Sequence, residues 1–326
     1  MPQIKGRMLF AVAAFGLAIL RAAVPVMAAE KPAKLRTAYV SPIGAMAPVW
    51  MAEASSAFQT EGLDVELVYI QSNAAIAALV AGEVDAVQIS APAIVPGVLA
   101  GGNITMIAGL LNKMIFSFHA QKEFKSAEQL RGKMVGADRI GSPNDYGVRT
   151  ALTKLGLKPE SDVQLLRLGG SAIQWTALQS KQIAASALTP PVSFNADAQG
   201  YTRLADTYDL PYQNIGLVIR RKEVEKRAEV WLRLLRAVQR GLRAWYDDPQ
   251  FSKSVLAKYT KDTDPVMLDK TYEFFTKQAG FNRDLTFTDR GFEQILRFFG
   301  STVLPAAKGA SPNQFYDTRI INKLKK

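Results

Sequence analysis

The sequence predicts an α/β protein of two similar lobes, each a mainly parallel sheet flanked by helices, joined by two crossover segments. Three observations predict it. Residues 76–92 can be laid on residues 175–191 at an offset of 99, and in both copies a helix closes, a strand of small and β-branched residues runs, and a Ser or Thr close to Pro ends it. Upstream, Asp64-Val65-Glu66-Leu67 matches Asp162-Val163-Gln164-Leu165 at an offset of 98. A period of about a hundred residues occurring twice indicates paired lobes rather than a solenoid of short repeats. The third observation is alternation of strand-like and helix-like segments, which gives a parallel sheet covered on both faces.

In chain order the first lobe reads as strand 35–40, helix 47–60, strand 63–70, helix 74–81, strand 84–89, helix 93–100 and strand 104–111. The second reads as strand 133–137, helix 143–155, strand 163–166, helix 171–180, strand 183–188, helix 191–198 and strand 202–205. Residues 115–119 form the outgoing crossover and 213–216 the return. Everything after Arg221 has helical pattern, ending in an irregular stretch and a basic tail that must pack back on the lobe to which the return leads. Lobe one is therefore expected to comprise residues 34–114 plus 217–326, and lobe two residues 120–212.

Composition agrees with two cores. The chain has 326 residues, 48% hydrophobic and 21% charged, enough to bury a core, and single cores tend to split beyond roughly 250 residues. The absence of Cys excludes thiolate metal sites, disulfides and cysteine nucleophiles together. With one His, a histidine-rich metal site is excluded and a Ser-His-Asp triad has a single residue to build on.

Residues 1–29 read as a signal peptide: Lys5 and Arg7 form a basic start, residues 8–20 an apolar run of thirteen, and Val26-Met27-Ala28-Ala29 supplies small residues for cleavage. Thirteen apolar residues fall short of the roughly 20 that cross a bilayer. Arg21, just beyond the run, leaves an uncleaved anchor as the alternative. No Cys stands near the cleavage point, so the protein is not expected to be a lipoprotein. Cleavage removes Lys5, Arg7 and Arg21 from a chain of net charge +11 and leaves it basic. Nucleic acid is not the expected partner, because the cations are mostly scattered and export removes the chain from DNA. The densest places are Arg220 to Arg227 and the helix-like stretch 229–247, where Arg233, Arg236, Arg240 and Arg243 lie opposite Trp231, Leu234, Leu235, Val238, Leu242 and Trp245 at helical spacing. That is either a solvated face or a docking surface for a membrane partner.

Pro48-Val49-Trp50-Met51-Ala52-Glu53, Phe58-Gln59-Thr60-Glu61-Gly62-Leu63-Asp64-Val65-Glu66-Leu67, Ala78-Leu79, Gly82-Glu83-Val84-Asp85-Ala86 and the late Phe315-Tyr316-Asp317 resemble the nitrate/sulfonate/taurine-type substrate-binding proteins of ABC importers. The resemblance covers roughly residues 34–320 and implies the type II periplasmic-binding-protein fold, a ligand cleft between lobes, a membrane permease and ATPase as partners, and a periplasmic, monomeric protein without cofactor. Pyrimidine synthases of thiamine biosynthesis resemble the same proteins but carry a cysteine-rich motif and a sacrificed histidine. This chain has no Cys, and its only His, His119, falls in the expected crossover, which disfavours an enzyme. A non-transporting ligand sensor is the further alternative.

In open α/β sheets ligands lie beyond the carboxyl ends of strands, where helix N-termini present unpaired N–H groups. Six loops occupy such places: Ser41-Pro42-Ile43-Gly44, Ser72-Asn73, Ser90-Ala91-Pro92, Ser142-Pro143-Asn144-Asp145, Gly169-Gly170-Ser171 and Thr189-Pro190-Pro191. Each joins a capping-type side chain or a helix-entry residue to that geometry, and ordinary capping explains any one of them alone. Their charges are sparse, namely Asp138, Arg139, Asp145 and nearby Lys113. Trp50, Tyr146, Trp175 and Phe194 lie close enough to floor a cleft, or else belong to the core. The expected site is Ser41, Gly44, Trp50, Ser90, Ala91, Arg139, Ser142, Asn144, Tyr146, Ser171, Thr189 and Phe194. The ligand stays open between a small sulfonate or carboxylate and an aromatic or heterocyclic compound.

Overall fold

Among the described residues of the computed structural model, which are 31–324 and Pro2, ten strands divide into two five-stranded sheets. The expected signal peptide otherwise lies outside the described residues. The first sheet takes β1 (Ala33–Tyr39), β2 (Leu63–Tyr69), β3 (Ala86–Ser90), β4 (Ile104–Lys113) and β10 (Pro211–Arg220), in the order β2-β1-β3-β10-β4. The second takes β5 (Ser117–Ala120), β6 (Met134–Ala137), β7 (Gln164–Arg167), β8 (Ala185–Leu188) and β9 (Thr202–Asp206), in the order β7-β6-β8-β5-β9. In each sheet four strands run in one direction, and the remaining one, β10 or β5, runs antiparallel to both its neighbours. The arrangement is the two-lobe periplasmic-binding-protein fold.

The repeat in the sequence is a repeat of register. Thr37 of β1 pairs with Leu67 and with Ala86, while Val135 of β6 pairs with Leu165 and with Ala185. Leu67 and Leu165 are 98 residues apart and Ala86 and Ala185 are 99 apart, the two offsets found by alignment. The helices leading into the third strands start at Ser72 and at Ser171.

The outgoing crossover overlaps only the start of the expected 115–119, and the return falls before the expected 213–216. Ser117–Ala120 is a strand bonded to both β8 and β9, and 213–216 lies inside β10, between β3 and β4. The chain changes sheet at 114–116 and at 207–210. The physical reason is backbone accounting: buried peptide groups must be paired, and a sheet pairs all of them where a bare crossover pairs few. At the change of sheet the two passages bond to each other. Thr207 donates its N–H (2.9 Å) and its hydroxyl (3.0 Å) to the Phe116 carbonyl, and the Phe116 N–H reaches the Thr207 hydroxyl at 3.2 Å. His119 is thus an interior residue of β5, with Nε2 2.9 Å from Asp197 and Nδ1 3.2 Å from the Ser117 carbonyl.

Two expected helices are interrupted. The span 47–60 breaks into Ala47–Ala54 and Ala57–Thr60 because Ser56 turns left-handed, with φ 56°. The span 93–100 becomes a 3-10 turn, Ala91–Ala93, followed by a five-residue helix, Val95–Leu99. Beyond β10 the long helix Ala228–Asp247 buries Trp231, Leu234, Leu235, Val238, Leu242 and Trp245. It crosses Ala47–Ala54 at Gly241, where a Cβ would stand 2.5 Å from the Ala52 nitrogen. The tail closes on the free edge of β4: Met106 donates to the Phe315 carbonyl (2.9 Å) and Asp317 donates to the Met106 carbonyl (2.8 Å). No helix among the described residues is long and apolar enough to cross a membrane.

Candidate functional cleft

The carboxyl ends of β1, β3, β6 and β8 are followed by turns that face one another across a cavity of about 970 Å³. From the first sheet come Val40–Ile43 after β1, Gln71–Ala74 after β2, and Ser90 with Pro92 and Ala93 after β3. From the second come Asp138, Arg139 and Gly141–Asn144 after β6, Gly170–Ile173 after β7, and Thr189–Val192 after β8. Three of these segments open helices of nine residues or more, Ser72–Ala81, Pro143–Lys154 and Ser171–Gln179. The first N–H groups of a helix have no partner within it. At Ser72–Ala81 and Ser171–Gln179 no side chain caps them, and of the second helix's first three the Ile173 N–H already bonds the Gly170 carbonyl at 3.0 Å; the positive end of each helix dipole suits an acceptor there.

The second lobe's wall is held by a buried polar network. Asn144 accepts from the Asp138 N–H (2.8 Å) and from Gln174 (3.0 Å), and donates to the Ala187 carbonyl (2.7 Å). Gln174 also donates to the Gly169 carbonyl at 2.7 Å and bonds Ser186. Ser142 caps its helix, accepting from the Asp145 N–H at 3.1 Å, and the Asp145 carboxylate is used up by Arg149, Arg167 and the Gly141 N–H. Ser171 and Thr189 hydroxyls lie 3.1 Å apart, tying two turns of the wall together. Lys113 is likewise engaged, donating to the Gln278 carbonyl at 2.9 Å. Asp138 and Arg139 are the charged groups lining the cavity. Arg139 is exposed and has no ion-pair partner among the described residues.

Of the expected site residues the fold brings Ser41, Ser90, Arg139, Ser142, Asn144, Ser171 and Thr189 to the cavity wall, and leaves Gly44, Trp50, Ala91, Tyr146 and Phe194 off it. Gly44 lies under Phe275, whose ring a Cβ there would meet at 2.6 Å, and Ala91 is fully buried in its turn. Trp50 is fully buried, stacked on Tyr259 with centroids 4.6 Å apart. Tyr146 stacks on Tyr212 (5.2 Å) and meets Phe298 edge-on (4.9 Å), while Phe194 packs edge-on against Phe274 (5.9 Å). Trp175 is spent on Tyr201. The partners of Trp50, Tyr146 and Phe194 lie far along the chain, so no local pattern separates an aromatic floor from core. Sequence reasoning missed Gln71, Phe116, Asn214 and Thr260, which line the cavity. Gln71 sits at the N-cap position that Gly170 holds in the other lobe, a signal the repeat carried. Asn214 and Thr260 have no such mark.

Comparison with known proteins bears on the fold and the family. No curated protein matches the chain in sequence. Among solved structures, the periplasmic aliphatic sulphonate-binding protein SsuA of Escherichia coli is similar with a TM-score of 0.69 at 18% identity, covering 82% of this chain and 90% of that one. The periplasmic nitrate-binding protein NrtA of Synechocystis gives 0.67 at 14% identity, covering 89% and 85%. A ligand-binding component of an ABC-type import system from Staphylococcus aureus, with zinc bound, gives 0.71 at 15% identity, covering 89% and 98%. Likeness at such identities establishes the fold. The model of the NMT1-like family matches residues 28–259, well over half of the sequence, and the chain accordingly belongs to that family.

Proposed function

We propose that this protein is an exported solute-binding component of an ABC importer that captures a small organic anion between its lobes and passes it to a membrane permease driven by an ATPase. The observation that carries the reading is the cleft wall: uncapped helix N-termini from both lobes and the exposed Arg139 face one cavity, an arrangement suited to a sulfonate or carboxylate. The E. coli and Synechocystis neighbours are sulfonate- and nitrate-binding proteins, which supports an oxyanion as ligand. A ring-stacking ligand has less support, because among the described residues Phe116 is the one aromatic residue lining the cavity. An enzyme reading has none from its single histidine, which lies inside β5 and off the cleft.

In this reading lobe one is β1–β4 with β10 and the C-terminal helices, lobe two is β5–β9, and closure turns on 114–116 and 207–210. The signal peptide is removed after Ala28 or Ala29, delivering a periplasmic monomer; mass spectrometry of exported protein that still began at Met1 would remove this step. The binding reading is tested by calorimetry with alkanesulfonates, taurine, nitrate and short carboxylates. One of these is expected to bind, and Arg139→Gln to weaken it by about 1.5–3 kcal/mol, the worth of a hydrogen bond to a charged group. Unchanged affinity in Arg139→Gln would take Arg139 out of the site, and failure of every anion to bind would overturn the ligand class.

A further inference from the structure

Away from the cleft, the helix Ala228–Asp247 carries Arg236, Arg240 and Arg243 on its outer side, at spacings that make them surface neighbours. A second recess, about 230 Å³, is lined by these three arginines with Gln239, Glu61 and Leu324. Its charge is not balanced from within. Arg240 donates through Nε to Glu61 at 2.6 Å, and that carboxylate is 10% exposed. Arg236 meets Glu229 only at 3.7 Å, with both side chains largely in solvent. Arg243 has no ion-pair partner among the described residues. Among the described residues, three guanidinium groups against one lining carboxylate leave an excess of two positive charges in the recess, and neighbouring like charges on a helix repel.

A solvated face would spread such charges out. Here Glu61 fixes one guanidinium from the side, which leaves its remaining N–H groups to a guest, and the neighbouring forks suit a tetrahedral oxyanion. We propose that this recess binds a phosphate-type oxyanion, presented either as a free phosphate or phosphomonoester or as an anionic lipid headgroup. The two sources share the chemistry and differ in what brings it. The inference is independent of the cleft and its ligand.

The test uses the full chain with inorganic phosphate at constant ionic strength, read by calorimetry, and in parallel by co-sedimentation with vesicles of phosphatidylglycerol against vesicles of phosphatidylcholine. The double variant Arg236→Gln/Arg243→Gln, both on an exposed face, is compared with Lys277→Gln, which removes a surface cation elsewhere, and with Arg139→Gln, which reports on the cleft. Folding of each is checked by circular dichroism and melting temperature. The expected result is phosphate binding, or phosphatidylglycerol-selective sedimentation, that the double variant weakens by about tenfold or more and the two controls leave in place. Phosphate binding alone identifies a free anion as the guest, and selective sedimentation a headgroup. Binding to neither probe, or binding lost in Arg139→Gln and kept in the double variant, overturns the proposal. If the double variant fails to fold, Arg243→Gln alone, whose side chain has no ion pair to lose, takes its place with the same outcomes.

Discussion

At the scale of single residues the cleft separates groups that hold the wall from groups free to hold a ligand. Asn144 lines the cavity, yet its amide is fully occupied by Asp138, Gln174 and Ala187. Asn144→Ala is expected to lower stability by about 1–3 kcal/mol, the cost of stranding buried polar groups, read as an earlier denaturant midpoint. Ser142 caps a helix, so Ser142→Ala should cost about 1 kcal/mol of stability; a larger loss in affinity than in stability would mark its hydroxyl as a ligand contact as well. The buried histidine supplies a pH prediction through its partner. Burial alone would push the Asp197 carboxyl up, but hydrogen bonds from His119 and Arg203 hold it below its ordinary 3.8. A carboxylate with a depressed folded pKa stabilises the protein above its unfolded pKa, and that contribution is lost as pH falls through the folded value. Melting temperature should therefore drop on acidification below about pH 4 more steeply in the native protein than in Asp197→Asn. Parallel curves would show that the pair contributes nothing.

Among the elements, the contact between Ala228–Asp247 and Ala47–Ala54 has the least slack. A methyl group at Gly241 would press on main-chain atoms of Met51 and Ala52, so Gly241→Ala should cost about 1–3 kcal/mol as overpacking, although alanine is the better helix former. A variant as stable as the native protein would mean that the helices can separate freely. The strands and helices that repeat were legible because two copies of one pattern confirm each other: Leu79 with Leu178, and Leu67 with Leu165. The crossovers were not, because a short apolar run such as Ser117-Phe118-His119-Ala120 reads alike as a passage or as a strand, and its pairing partners, β8 and β9, lie some seventy to ninety residues away. The strand-end loops were legible from the rule that ligands sit beyond carboxyl ends. The aromatic floor was a misreading, since a tryptophan such as Trp50 looks the same in a sequence whether it faces a ligand or, as here, Tyr259.

For the whole molecule, the proposed function requires the two lobes to move about two short passages bonded through Phe116 and Thr207. A ligand shifts the balance between open and closed forms only by its differential affinity for them, so the anion that binds should also reduce the radius of gyration measured by small-angle X-ray scattering. Binding with no change in the scattering curve would mean a preformed pocket rather than a closing one. The order of the first sheet has a further consequence for how the molecule comes into being. Among the described residues the one strand paired along β4 is β10; its other edge meets only the tail bridge and main-chain bonds from the 282–285 segment, and β10 follows the whole of the second lobe in the chain. As the polypeptide emerges, residues 117–206 hold all the described strands of their own sheet, while Ile104–Lys113, a ten-residue strand buried over its first eight residues, must wait nearly a hundred residues for its partner. The later lobe can be complete while the earlier one still shows an open edge, the kind of surface on which strands of other chains add. The moment of greatest vulnerability to aggregation is therefore set by the arrival of Pro211–Arg220, a property of strand order that no single side chain controls.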